Sequence, residues 1–171
     1  VPGTLDIDNS TLNGHWQGMI ARGGIISVRN SVITNTYETL DTSYEETWGS
    51  GNAVTLAGIA IGNKGNNSYN YPVSITLENT SVTSVGPNPA IYVYQMEGEN
   101  RNVSVAISGD SAVSGDFIVE KDEGVESVDV AISGGNFTSD PSEYLADNLV
   151  TVPSTVDGYN YTVADKTPAS A

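Results

Sequence analysis

The chain has 171 residues, 21 acidic and 6 basic, for a formal net charge of −15, and it contains no cysteine. That acidity excludes nucleic acid and anionic membrane as partners, because both need clustered Lys and Arg to displace their counterions. Missing thiols exclude a disulfide framework, a thiolate metal site and a cysteine nucleophile, and no apolar run approaches the roughly 20 residues of a membrane span.

Val, Ile, Thr, Ser, Asn and 18 Gly dominate, while helix-period patterns are nearly missing; this is the composition of an all-β protein. No basic-then-apolar leader is legible. The sequence opens directly in strand-like residues, so a mature fragment or an excised piece of a longer protein is expected.

One phrase recurs along the chain: LDIDNSTL, ISVRNSVI, ITLENTSV, VAISGDSA and VAISGGNF. Each copy breaks at Asn9, Asn30, Asn79, Gly109 or Gly134. Four residues before the break stand Leu5, Ile26, Ile75, Val105 and Val130; two before stand Ile7, Val28, Leu77, Ile107 and Ile132. Three after it stand Leu12, Ile33, Val82, Ala112 and Phe137. All of these are apolar in a chain that is only 38% hydrophobic, so the repeat is genuine. Asn and Gly enter the left-handed backbone region most readily, so each break predicts a sharp corner between two short strands. The second strand is too short to bury itself and must stack on its counterpart in another copy. Ahead of most copies a third strand is predicted, around Met19-Ile20, Gly58 to Ile61, Ala90 to Val93, and Phe117 to Val119.

The spacing between copies varies while the unit stays constant, as a solenoid tolerates. Three short strands per turn of about 25 residues resemble the right-handed parallel β-helix, the pectin lyase-like fold, with about five coils. The resemblance covers roughly residues 4–140 and implies that inward residues stack into ladders. Among these, Asn9, Asn30 and Asn79 would form an asparagine ladder, and Arg29 would lie between Asp8 and Glu78 on the outer face. Two segments interrupt the rhythm, residues 37–51 (YETLDTSYEETWGSG) and the Asn/Gly-rich stretch 63–72.

After Phe137 the repeat ends. Asp140, Pro141 and Glu143 predict one helical turn over residues 141–146. Leu149 to Val152 and Tyr159 to Val163, separated by Asp157-Gly158, then predict two closing strands. The run ISGGNFTSDPSEYLADNLV…DGYNYTV is similar to the C-terminal closure of β-helix repeats in large surface proteins of gut bacteria. That similarity implies an exported, multidomain parent, secreted or held at a bacterial cell surface. The expected organisation is therefore coils over 1–140, a cap over 141–166 and a tail or linker over 167–171. No such cap precedes Leu5, so the first coil is expected to continue into a preceding domain.

The chemistry is sparse. Lyases on the resembled fold use Asp/Glu clusters for Ca²⁺ and an Arg or Lys base, and here only Arg29 sits in an outward strand position beside acids. An exposed ion pair accounts for it more simply. The paired-Asp and His-Gly motifs of the polygalacturonase-type hydrolases do not occur, and Asp6 and Asp8 have no second acid pair in register. His15, the single histidine, stands beside Trp16 without a nucleophile or an orienting acid. It reads as an exposed loop residue between the first and second coils. Asp6-Ile7-Asp8-Asn9 lacks the Gly and terminal Glu of a calcium loop. No cofactor is expected, apart from incidental Ca²⁺ on the acidic loop. Six N-x-S/T triplets, at Asn9, Asn66, Asn79, Asn102, Asn136 and Asn160, follow from composition.

The loop 37–51 is the candidate binding site, through Tyr37, Asp41, Tyr44, Glu45, Glu46 and Trp48. Aromatic rings stack on apolar sugar faces or anchor protein partners, and carboxylates accept hydrogen bonds from hydroxyls. The competing reading has Trp48 and Tyr44 folding back to cover a coil face. Function is thus expected to be non-enzymatic: a binding or adhesion module presenting loops to a glycan or to a host or microbial protein. A lyase or hydrolase acting on acidic polysaccharide, or an inert stalk, are the alternatives.

Overall fold

The computed structural model describes residues 3–39, 55–65 and 70–167. Within them the chain is all-β, and its strands fall into three sheets that the backbone visits in rotation. Sheet one contains, in order and all parallel, β1 (Thr4–Asp8), β4 (Gly24–Arg29), β7 (Val73–Glu78), β10 (Val103–Ser108) and β13 (Asp129–Ile132). Sheet two runs parallel through β2 (Thr11–Gly14), β5 (Val32–Asn35), β8 (Ser81–Ser84), β11 (Ala112–Ser114) and β14 (Asn136–Phe137). It then adds β16 (Tyr161–Asp165) and β15 (Leu149–Pro153), both antiparallel to their neighbours. Sheet three is β3 (Gln17–Ala21), β6 (Ala57–Gly62), β9 (Ile91–Gln95) and β12 (Phe117–Lys121), again parallel. Parallel partners require a crossover, and here the crossover from one strand of sheet one to the next consists of the strands of the other two sheets.

The register explains the repeat. Leu5, Ile26, Ile75, Val105 and Val130 face one another in sheet one, as do Ile7, Val28, Leu77, Ile107 and Ile132. The middle members of both rows are buried, and with Ile59, Ile61, Ile91 and Val93 of sheet three they form one continuous core. Each such side chain contributes about 1.5–3 kcal/mol by leaving water. The third row is Leu12, Ile33, Val82, Val113 and Phe137, which corrects the sequence reading at Ala112. Gly109 and Asp110 make a turn one residue longer than the other corners, so Ala112 moves into the outward row with Ser81 and Asn136.

The corners at Asn9, Asn30 and Asn79 have φ of 50°, 52° and 49°, and Gly109 has φ of 66°. Asn79 Nδ2 donates to Asn30 Oδ1 at 3.5 Å, while Asn30 Nδ2 turns to Asp8 Oδ1 at 3.0 Å rather than to Asn9. Asn79 Oδ1 accepts from the Asp110 amide at 2.9 Å, and it occupies the space a Cβ on Gly109 would need, 2.2 Å away. At the last corner the left-handed residue is Gly135 (φ 116°), not Gly134. Gly134 instead packs against the Gly109 backbone, where a Cβ would lie 2.7 Å from the Gly109 carbonyl oxygen.

After each of the first four corners comes an inward hydroxyl that the residue pattern alone does not mark. Ser31, Thr80 and Ser111 are buried, and Ser10 stands above them at half exposure. Ser31 Oγ accepts from the Ser10 amide and Ser111 Oγ from the Thr80 amide, both at 3.1 Å. Each hydroxyl also donates to a carbonyl at the end of the preceding strand. Two of the N-x-S/T triplets, at Asn9 and Asn79, are therefore corner, inward hydroxyl and outward strand residue in succession.

Arg29 lies in register between Asp8 and Glu78, but its guanidinium pairs with Asp6 at 3.8 Å and donates to Ser27 Oγ. Both partners are well exposed, so the pair is worth at most about 1 kcal/mol. At the far end of the chain the predicted helical turn shrinks to a 3-10 turn over Ser142–Tyr144, and the Asp140 carboxylate accepts the Ser142 amide at 3.0 Å. Leu145 bridges to Ile132, and β16 covers β14, so the last rungs on that side are closed. The opposite end is made of the edge strands β1, β2 and β3, and there Leu5 is 48% exposed although its row-mates Ile26, Ile75 and Val105 are buried.

Candidate functional site

Of the six binding candidates in the 37–51 loop, Tyr37 lies within the described residues; Asp41, Tyr44, Glu45, Glu46 and Trp48 lie outside them. Tyr37 follows β5 at the root of the loop, and its surroundings are built by the tight turn between β2 and β3. Gly14 opens that turn so closely that a Cβ there would sit 1.6 Å from the Gln17 carbonyl oxygen. Buried Asn35 donates from Nδ2 to the Trp16 carbonyl at 3.2 Å, and the Thr36 amide donates to the Gly14 carbonyl at 3.0 Å. Gln17 Nε2 closes the turn on the Thr55 carbonyl at 3.2 Å.

The turn presents His15 and Trp16 to solvent. It lies between the second and third strands of one round, not between rounds as the sequence reading had it. Trp16 is 56% exposed. The His15 ring meets the half-buried Tyr37 edge-on, centroids 5.3 Å apart at 81°, with His15 Nδ1 3.4 Å from Thr36 Oγ1. The Tyr37 and Thr39 carbonyls accept from the amide of buried Asn88, at 3.2 and 2.9 Å, which pins the loop's first residues to the segment before β9. Exposed aromatics on a backbone fixed this firmly form a contact surface with little ordering entropy left to lose. The sequence did carry a signal for this contact. The 21-residue offset that aligns Leu12 with Ile33 also brings His15 against Thr36 when carried past β5.

A second polar cluster lies on the outer face of sheet three. Tyr92 is fully buried and donates to Glu120 Oε2 at 2.5 Å; Tyr94 donates to Asp122 Oδ1 at 2.6 Å. Lys64 stands 5.4 Å from the Tyr94 ring centroid. Burial, then the hydrogen bond to Asp122, then the charges of Asp122 and Glu120 push the Tyr94 phenol from 10.0 up to about 12. The folded chain thus holds a proton that the unfolded chain loses near pH 10. The stability contributed by this phenol is expected to be fully present below pH 10 and to be lost as pH rises through about 12. The Tyr144 phenol, also raised by burial and by Glu143, falls in the same direction. Denaturant midpoints measured across this range, beside a tyrosinate absorbance titration, check it; Asp122→Asn should shift one tyrosine titration downward and flatten the loss.

Among the described residues no group of three or more His, Asp or Glu is arranged to hold a metal ion. Asp6 and Asp8 lie on the edge strand β1, one paired with Arg29 and the other with Asn30. No family model, curated protein or solved structure matches the chain.

Proposed function

We propose that this chain is a right-handed parallel β-helix of the pectin lyase-like kind, a non-enzymatic binding module of a secreted or cell-surface bacterial protein. The coils occupy residues 1–140, the cap 141–166 and the tail 167–171. Three parallel sheets visited in rotation, with inward ladders and left-handed corners, support the architecture. The surface-protein reading rests on the similarity of the closing segment.

The partner is a glycan or a protein, met by the corner of Trp16, His15 and Tyr37 together with the loop that leaves Tyr37. The observation that carries this reading is the 56% exposure of Trp16 beside the His15–Tyr37 contact, at the root of the longest interruption in the repeat. An exposed tryptophan beside a second aromatic pair supplies the large amphipathic area that anchors protein or sugar partners. The test is a glycan-array and host-protein screen followed by calorimetry. Trp16→Ala is expected to weaken the captured ligand about tenfold or more, as loss of an aromatic anchor does. Trp48→Ala tests the loop separately. No ligand in the screen, or undiminished affinity in both variants, rules the assignment out.

A further inference from the structure

The cap closes only part of the core's end. Val119 and Val130 continue inward rows whose preceding members Ile61, Val93, Ile75 and Val105 are buried, yet both are only partly buried. They form, with Val128, the floor of an open cleft of about 320 Å³ between β12, the segment entering β13 and the 3-10 turn. Its walls are Tyr144, Glu143, Glu126, Ser127 and Lys121. The Tyr144 ring is held against Phe117, centroids 5.3 Å apart. The Lys121 ammonium donates to the Val125 carbonyl, which holds it toward the turn beneath it.

From this cleft we infer a binding site for a small organic cation, an ammonium carried on an aliphatic or aromatic body. The volume is at the lower end of that of ligand sites, which suits one small molecule and not a polymer. The valine floor takes the apolar body. Glu126 and Glu143 outnumber the single lysine, so the polar wall carries a net negative charge and favours a cation. The net charge of −15 raises the local concentration of cations further. A bare metal ion would leave the valines wet and would lack the set of three ligands noted above. The site stands at the opposite end of the stack from Trp16 and does not depend on the glycan or protein partner proposed there.

Titration of the whole chain with n-hexylammonium, n-hexanol and hexanoate, followed by amide chemical shifts, tests it. Shifts should cluster at Val119, Ser127, Val128, Val130 and Tyr144. Hexylammonium should bind about tenfold more tightly than hexanol, the scale of one charge-assisted contact, and hexanoate more weakly than either. The double variant Glu126→Gln, Glu143→Gln, which changes exposed groups only and leaves Lys121 as the one charge of the wall, should bring hexylammonium down to the level of hexanol or below it. Val128→Trp should fill the cleft and abolish both. Absence of shifts, shifts spread over the acidic surface, equal affinity for the amine and the alcohol, or an unaffected double-Gln variant each overturn the inference.

Discussion

Leu77→Ala is expected to destabilise the chain by about 3–4 kcal/mol, the scale of a buried leucine truncated where neighbours cannot collapse. Leu77 is fully buried at the middle of its row, between Val28 on β4 and Ile107 on β10. Parallel strands on both sides hold the backbone at fixed separation, so a cavity opens instead of closing. In a chain of this size such a loss corresponds to a fall in Tm of roughly 6–16 °C. Thr76→Ala, one residue earlier and facing outward, should change stability by less than about 0.5 kcal/mol. Denaturant unfolding of both variants measures the contrast, and comparable losses would mean that the row is not the core.

The second large effect is at the corner. Asn79→Val should cost about 3 kcal/mol, because a β-branched residue at φ 49° is a steric outlier and the bond to the Asp110 amide is lost. Asn79→Gly removes the same side-chain bonds but tolerates the backbone, so about 1–2 kcal/mol is expected. Equal losses in the two variants would locate the whole effect in the side-chain bonds and none in the backbone. The test also separates Asn79 from Asn9, whose corner lies on the open edge and stacks on one side only. The same pair of substitutions there should be milder.

The candidate binding surface was partly legible. Of its three residues Tyr37 was a binding candidate from the sequence, as an aromatic in a long loop, whereas His15 read as an ordinary exposed loop residue and Trp16 only as its neighbour. Their meeting required the register between rounds, and that register becomes predictive only once strands are known to stack in parallel. The cleft at Val119 and Val130 had no signal at all. Those two valines repeat the pattern of their buried row-mates, and what differs is how far the cap reaches.

What the sequence by itself determined is the repeating unit. An apolar residue every second position with Asn or Gly at the break compels strands and corners, because side-chain period and left-handed backbone are local properties. The rows of Leu5 and Ile7 could therefore be written down without coordinates. Tertiary structure decided what depends on neighbours. It placed Val113 rather than Ala112 in the core, because the Gly109–Asp110 turn accommodates one more residue where Asn79 reaches across. It turned Arg29 to Asp6, since an exposed guanidinium chooses among several carboxylates of similar energy. It buried β6 on both faces, with Ala57 and Ala60 as inaccessible as Ile59 and Ile61. A short run of Ala, Gly and Ile carries no period from which that can be read.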